Sequence, residues 1–148
     1  MINQRIAYRD GDGVSVVSPT PEFCANPANT IDMLVAKCVP EGVHFEIRDV
    51  NDIPTDRYFR NAWRLDKGIS IGLEQAREIH MINLRVQRDE MLTELDVPFQ
   101  RALEDKDTVM QDNIAAKKNA LRDMPQDVDM SLLDTPDKIK AFMPDVLV

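Results

Sequence analysis

Residues 73–95 read LEQAREIHMINLRVQRDEMLTEL, a stretch with no glycine, no proline and an abundance of Glu, Arg, Leu, Met and Gln. These are strong helix formers, so the stretch predicts one unbroken helix of about 34 Å at 1.5 Å per residue. Ala76, Ile79, Ile82 and Val86 form one apolar stripe along it, and Leu84, Met91, Leu92 and Leu95 a second, offset one. Two stripes make a wider apolar face than a single partner helix needs. Either that face is one broad core seam, or part of it binds another chain.

Working outward, Asp96-Val97-Pro98 punctuates the helix, with Asp96 placed to cap and Pro98 suited to a first helical turn. A second helix is expected from there, carrying Phe99, Leu103, Met110, Ile114 and Leu121, breakable at residues 104–107 and ending by Asp123-Met124-Pro125. Two helices joined so tightly fold most simply as an antiparallel hairpin. Thr135-Pro136 then opens a short terminal helix over residues 136–142.

Upstream the chain changes character. All five glycines and five of the nine prolines lie in residues 1–72. Arg5-Ile6-Ala7-Tyr8 and Val14-Ser15-Val16-Val17 flank Asp10-Gly11-Asp12-Gly13, the pattern of a β-hairpin whose glycines supply positive φ. A short helix is expected over residues 31–38 behind Thr30, a strand at Val43–Ile47 with His44 on its polar face, and a second hairpin from Ala62 to Ile71. The expected fold is therefore α+β: a small β-rich domain with one short helix (1–72), then an antiparallel helical hairpin with a short terminal helix (73–148).

The 148 residues, 43% apolar and 30% charged, suffice for a real core. A net charge of −8, from 18 Lys and Arg against 26 Asp and Glu, speaks against a general nucleic-acid binder, which needs cations to neutralise phosphates. No apolar run approaches a membrane span, and Met1-Ile2-Asn3-Gln4-Arg5 opens no signal-peptide h-region, so no membrane is expected and the compartment is cytoplasmic. Cys24 and Cys38 form no C-x-x-C pair; both are expected as free thiols, with Cys38 in the core.

Catalytic patterns are missing from the sequence. His44 and His80 have no second His or Cys at ligand spacing, which argues against a metal, and no nucleophile elbow or phosphate loop occurs. Asp10-Gly11-Asp12-Gly13 lacks the later ligands of a calcium loop and reads as a turn. Neither catalytic residues nor cofactors are expected; an enzyme would need a perturbed acid or histidine in a pocket, with His80 the nearest candidate.

One cluster stands out. Residues 57–64 (Arg57-Tyr58-Phe59-Arg60-Asn61-Ala62-Trp63-Arg64) hold three of the eight aromatics and three arginines. Three readings compete: Phe59 and Trp63 plug the seam between the β domain and the helices; the segment is a protein-binding hot spot rich in Trp, Tyr and Arg; or it reads nucleic acid. Tyr58, Phe59, Trp63 and Arg64, with Leu84, Met91, Leu92 and Leu95 of the helix, are the candidate protein-binding residues.

The stretches Asp56-Arg57-Tyr58-Phe59-Arg60-Asn61-Ala62-Trp63 and Ala76-Arg77-Glu78-Ile79-His80 resemble small proteins encoded among bacteriophage tail genes. Further on, Arg85, Arg88, Met91-Leu92, Leu95-Asp96 and Ala120-Leu121-Arg122-Asp123-Met124-Pro125 resemble the C-terminal signature of tail assembly chaperone-like and tail-fibre assembly proteins. The resemblance spans about residues 56–125, with Val97 where that family often has Trp and Lys117-Lys118 where it has Tyr-Arg. It implies a non-catalytic accessory that binds a phage tail or tail-fibre protein in the host cytoplasm and is either released or kept in the virion tail, as a monomer or a homo-oligomer. The alternative is a structural virion component: a minor tail, fibre-base or head–tail protein.

Overall fold

The computed structural model describes residues 2–148 and shows an α+β chain in two compact units, 1–75 and 76–148. Strands β1 (Gln4–Asp10) and β2 (Gly13–Val17) pair antiparallel with Asp10 opposite Gly13, and Gly11 turns the corner at φ +58°. Strand β3 (Phe45–Asp49) lines the other edge of β1, giving the order β2-β1-β3. The expected strand at 43–47 is thus displaced by two residues. Gly42 at φ +78° and the Val43 N–H to Pro40 carbonyl bond prolong the preceding turn, and His44 lies before the strand, exposed.

Strands β4 (Trp63–Leu65) and β5 (Ile69–Ile71) form a separate two-stranded sheet closed by Gly68 at φ +92°. Glu46 links the two sheets, accepting from the Arg48 guanidinium and from the Gly68 N–H at 3.0 Å. Burial raises the Glu46 pKa, but those donors outweigh it and hold the carboxyl below its ordinary value. Helix α1 (Pro21–Ala25) was not expected; Pro21 opens it and the Thr20 hydroxyl caps the Phe23 N–H. Helix α2 covers Ile31–Cys38. Between the sheets lies a core of Ala7, Val14, Ile53, Trp63 and Leu65, flanked by Val16, Ile69 and Ile71. Cys38 is half-buried rather than a core residue, because Leu34 takes the inward position of α2; both thiols are free.

In the second unit the hairpin turns later than expected. Helix α3 (Leu73–Glu94) passes into α4 (Asp96–Glu104) through Leu95, which keeps helical dihedrals and bonds on both sides, to Met91 and from Phe99. Pro98 removes one N–H without reversing the chain. The reversal is at Asp105-Lys106-Asp107. Lys106 takes φ +56°, and the Asp107 N–H reaches back to the Ala102 carbonyl at 2.9 Å while the Lys106 N–H bonds Leu103, the double closure of a Schellman motif. Asp107 at once caps α5 (Thr108–Asp127), accepting from the Met110 N–H. Helices α4 and α5 then run antiparallel, joined by Lys118–Asp96 and by Gln111 on the Ala102 carbonyl.

Helix α5 also outlasts its expected stop, including Pro125 and ending at Asp127. So near the end, proline costs only the bond to Leu121, and the Val128 N–H still closes on Met124. Helix α6 (Pro136–Ala141) follows, capped by Thr135. A left-handed backbone suits glycine far better than lysine, so Lys106→Gly is expected to stabilise the second unit by about 1 kcal/mol. Urea unfolding followed by far-UV circular dichroism checks it; a lower midpoint contradicts the turn geometry.

Candidate docking surface

The residues that α3 buries are Ala76, His80 and Leu84, one stripe at four-residue spacing. Of the expected first stripe, Ile82 and Val86 point to solvent at 56% and 52% exposure. A polar residue, His80, belongs to the buried stripe because its Nε2 meets the Phe142 carbonyl at 2.7 Å. With a carbonyl as acceptor, that nitrogen carries the proton. One turn away, Arg77 donates from Nε to the Met130 carbonyl (3.1 Å) and from an Nη to those of Leu133 (2.9 Å) and Ser131 (3.4 Å). Two side chains of α3 thus hold the chain on both sides of α6.

That attachment builds the apolar surface. Met91 and Leu95 share a cavity of about 380 Å³ with Leu121 and Ala120 of α5 and with Val146 and Val148; Glu94 and Lys117 stand at it as an acid and a base. Across Ala120 and Val146 a second cavity, of about 420 Å³, is lined by Met124, Phe142 and Met143 with Asp123, Asp127 and Asp145. A third, of about 480 Å³, lies beside the exposed Ile82, among Met81, Met130 and the charged Arg77, Glu78 and Arg85. Thioethers and branched aliphatic chains on a charged frame suit docking of an apolar segment whose shape is not fixed.

The sequence candidates divide three ways. Met91 and Leu95 come together on one cavity, and Leu92, half-buried, is not among its lining residues. Leu84 is fully buried and Phe59 is 4% exposed, so neither offers its side chain to a partner. Trp63, also fully buried, belongs to the sheet core of the first unit, with the Arg57 and Arg60 guanidiniums 5.0 and 4.3 Å from its ring centre. Burial first, and then Arg57, lower the pKa of Arg60. Tyr58 is half-buried with its ring edge-on to Phe59 at 4.7 Å, and Arg64 is half-buried on β4 opposite Ser70.

Sequence reading did not anticipate Arg77, His80 or the valines at 146 and 148 as builders of this surface. For Arg77 no sequence signal existed, since its acceptors are backbone carbonyls more than fifty residues away. Among the described residues no group of three or more His, Cys, Asp or Glu could hold a metal ion, and no helix is long and apolar enough to cross a membrane. Comparison with family models, with curated proteins and with solved structures finds no match for this chain.

Proposed function

We propose that the chain is a non-catalytic, chaperone-like accessory of phage tail or tail-fibre assembly, which binds a tail or fibre protein through its helical unit. The observation that carries this reading is the apolar groove of Met91, Leu95, Leu121, Val146 and Val148 on a unit rich in acidic residues. A fibrous client exposes apolar surface before it assembles. An adaptable apolar groove on an acidic body covers such a surface while repulsion between like-charged complexes keeps them dispersed. The resemblance over residues 56–125 supports the choice of a phage tail client. The structural virion role remains the alternative, and stoichiometry separates the two.

The test is quantitative mass spectrometry of purified particles beside infected-cell lysate. A chain abundant in lysate and missing from particles is a transient assembly factor. One present in fixed integer ratio to a tail or fibre protein is a structural subunit. One unrelated in abundance to any tail protein in either sample sinks the proposal.

The surface has its own test. Each apolar side chain buried in a partner contributes about 1.5–3 kcal/mol. Met91→Glu combined with Leu95→Glu is therefore expected to lower client co-purification more than tenfold while far-UV circular dichroism keeps its helical signal. Unchanged co-purification with normal helicity would move the client site elsewhere.

A further inference from the structure

The first unit pairs some of its cations with care: Arg9 meets Asp66 and Arg48 meets Glu46. Arg5, Arg57 and Arg60 are treated differently. Among the described residues, none of the three forms an ion pair with a carboxylate, although acids outnumber bases in this chain. Arg5 donates to the neighbouring Gln4 carbonyl, and the Asp56 carboxylate beside Arg57 accepts from the Tyr58 N–H. Arg57 and Arg60 are instead both drawn to Trp63, a ring that attracts cations but does not neutralise them. The Trp63 indole Nε1–H, fully buried, has no acceptor either. Donors and positive charge accumulate here, and among the described residues no carboxylate forms an ion pair with Arg5, Arg57 or Arg60.

Arg57 also connects this cluster to a cavity of about 260 Å³. Arg5, Arg57, Ser18 and Thr55 line it together with the apolar Val16 and Ile53, and among the described residues no Asp or Glu lines it. We propose that this is a recognition site for an acidic segment of a protein partner, the Arg5 and Arg57 guanidiniums receiving a carboxylate and the Val16–Ile53 wall an adjacent apolar side chain. Planar guanidiniums match carboxylates in geometry and charge, and such hydrogen bonds are about twice as strong as neutral ones. The cavity is smaller than the ~300–1,000 Å³ of typical small-molecule sites, and fits a side chain rather than a whole ligand. A polyphosphate chain is disfavoured because the arginines are confined to one spot rather than spread along a track. The site lies in the first unit, apart from the helical groove, and does not rest on the phage reading.

The experiment uses the full chain and three fluorescein-labelled probes: a peptide repeating Glu-Leu-Glu-Ala, its Lys-Leu-Lys-Ala counterpart, and oligothymidylate. The acidic peptide is expected to bind best, with affinity falling as salt rises. Arg5→Gln with Arg57→Gln should weaken it about tenfold, and Arg57→Lys, which keeps the charge, much less. Arg57 touches Trp63, so Arg5→Gln alone is the variant free of folding effects; it should weaken binding about threefold with an unchanged melting temperature. The proposal is overturned if the acidic peptide binds no better than the basic one, if Arg5→Gln leaves binding unchanged, or if oligothymidylate binds more tightly than either peptide.

Discussion

Trp63→Ala is expected to cost the first unit about 3–5 kcal/mol, the range for deleting a buried aromatic side chain from a close-packed core. In a unit of about 75 residues that is a large share of its stability, at ~0.05–0.15 kcal/mol per residue. Trp63 is fully buried where β4 faces β1 and β2, and it is the one aromatic side chain in the cluster with Ala7, Val14, Ile53 and Leu65. Arg57 and Arg60 lose their ring at the same time. Trp63→Phe should behave differently. It keeps an aromatic ring and removes the indole N–H without an acceptor, whose burial costs about 1–3 kcal/mol, so the lost volume is partly offset and the net cost should stay below about 1.5 kcal/mol. Guanidinium unfolding followed by circular dichroism measures both. Equal costs for alanine and phenylalanine would mean that ring packing does not hold this core.

Arg77→Ala is the second large effect, expected to destabilise the second unit by about 2–4 kcal/mol. Hydrogen bonds from a charged donor contribute about 1.5–3 kcal/mol each, and two of the three here have good length. Arg77→Lys should rescue little, because one ammonium cannot reproduce a planar fork that serves carbonyls at 130 and 133 together. Hydrogen-exchange mass spectrometry locates the damage. Amides of residues 128–142 should lose protection first, and the His80 bond to Phe142 should fail with them. Since Val146 and Val148 line the groove at Met91 and Leu95, the variant should also weaken the client binding proposed for that groove. Unaltered exchange over residues 128–142 would show that the guanidinium is dispensable to that segment.

Local chemistry explains why much of the fold was legible before any coordinates. The Gly11 turn, the Thr135 cap and the unbroken run 73–94 each act within a few residues, so the pattern and the structure coincide closely. The misplaced elements are those in which neighbours compete. Pro98 resembled a reversal but only removed an N–H inside a continuing helix, whereas Lys106 made the true turn with a residue that avoids positive φ. The apolar spacing of Ile82 and Val86 matched a buried stripe as well as that of Ala76 and Leu84 did; the rotation of α3 about its axis chose between them.

The candidate site divides along the same line. Met91 and Leu95 are one turn apart on a helix, so their shared face was readable from spacing alone. Trp63 was readable as a buried plug or as a partner anchor but not as the centre of the sheet core, because an aromatic among arginines has the same composition whether it faces a partner or its own sheet. By itself the sequence determined the two-part α+β organisation, the long helix and the acidic balance, since propensity, turn chemistry and charge are local or additive properties. Only the tertiary structure decided that His80 and Arg77 point inward, that the segment after Asp127 forms part of the groove, and that Arg5 comes to share a cavity with Arg57. Those facts depend on contacts between residues far apart in the chain, and neither helical nor strand periodicity carries information across such separations.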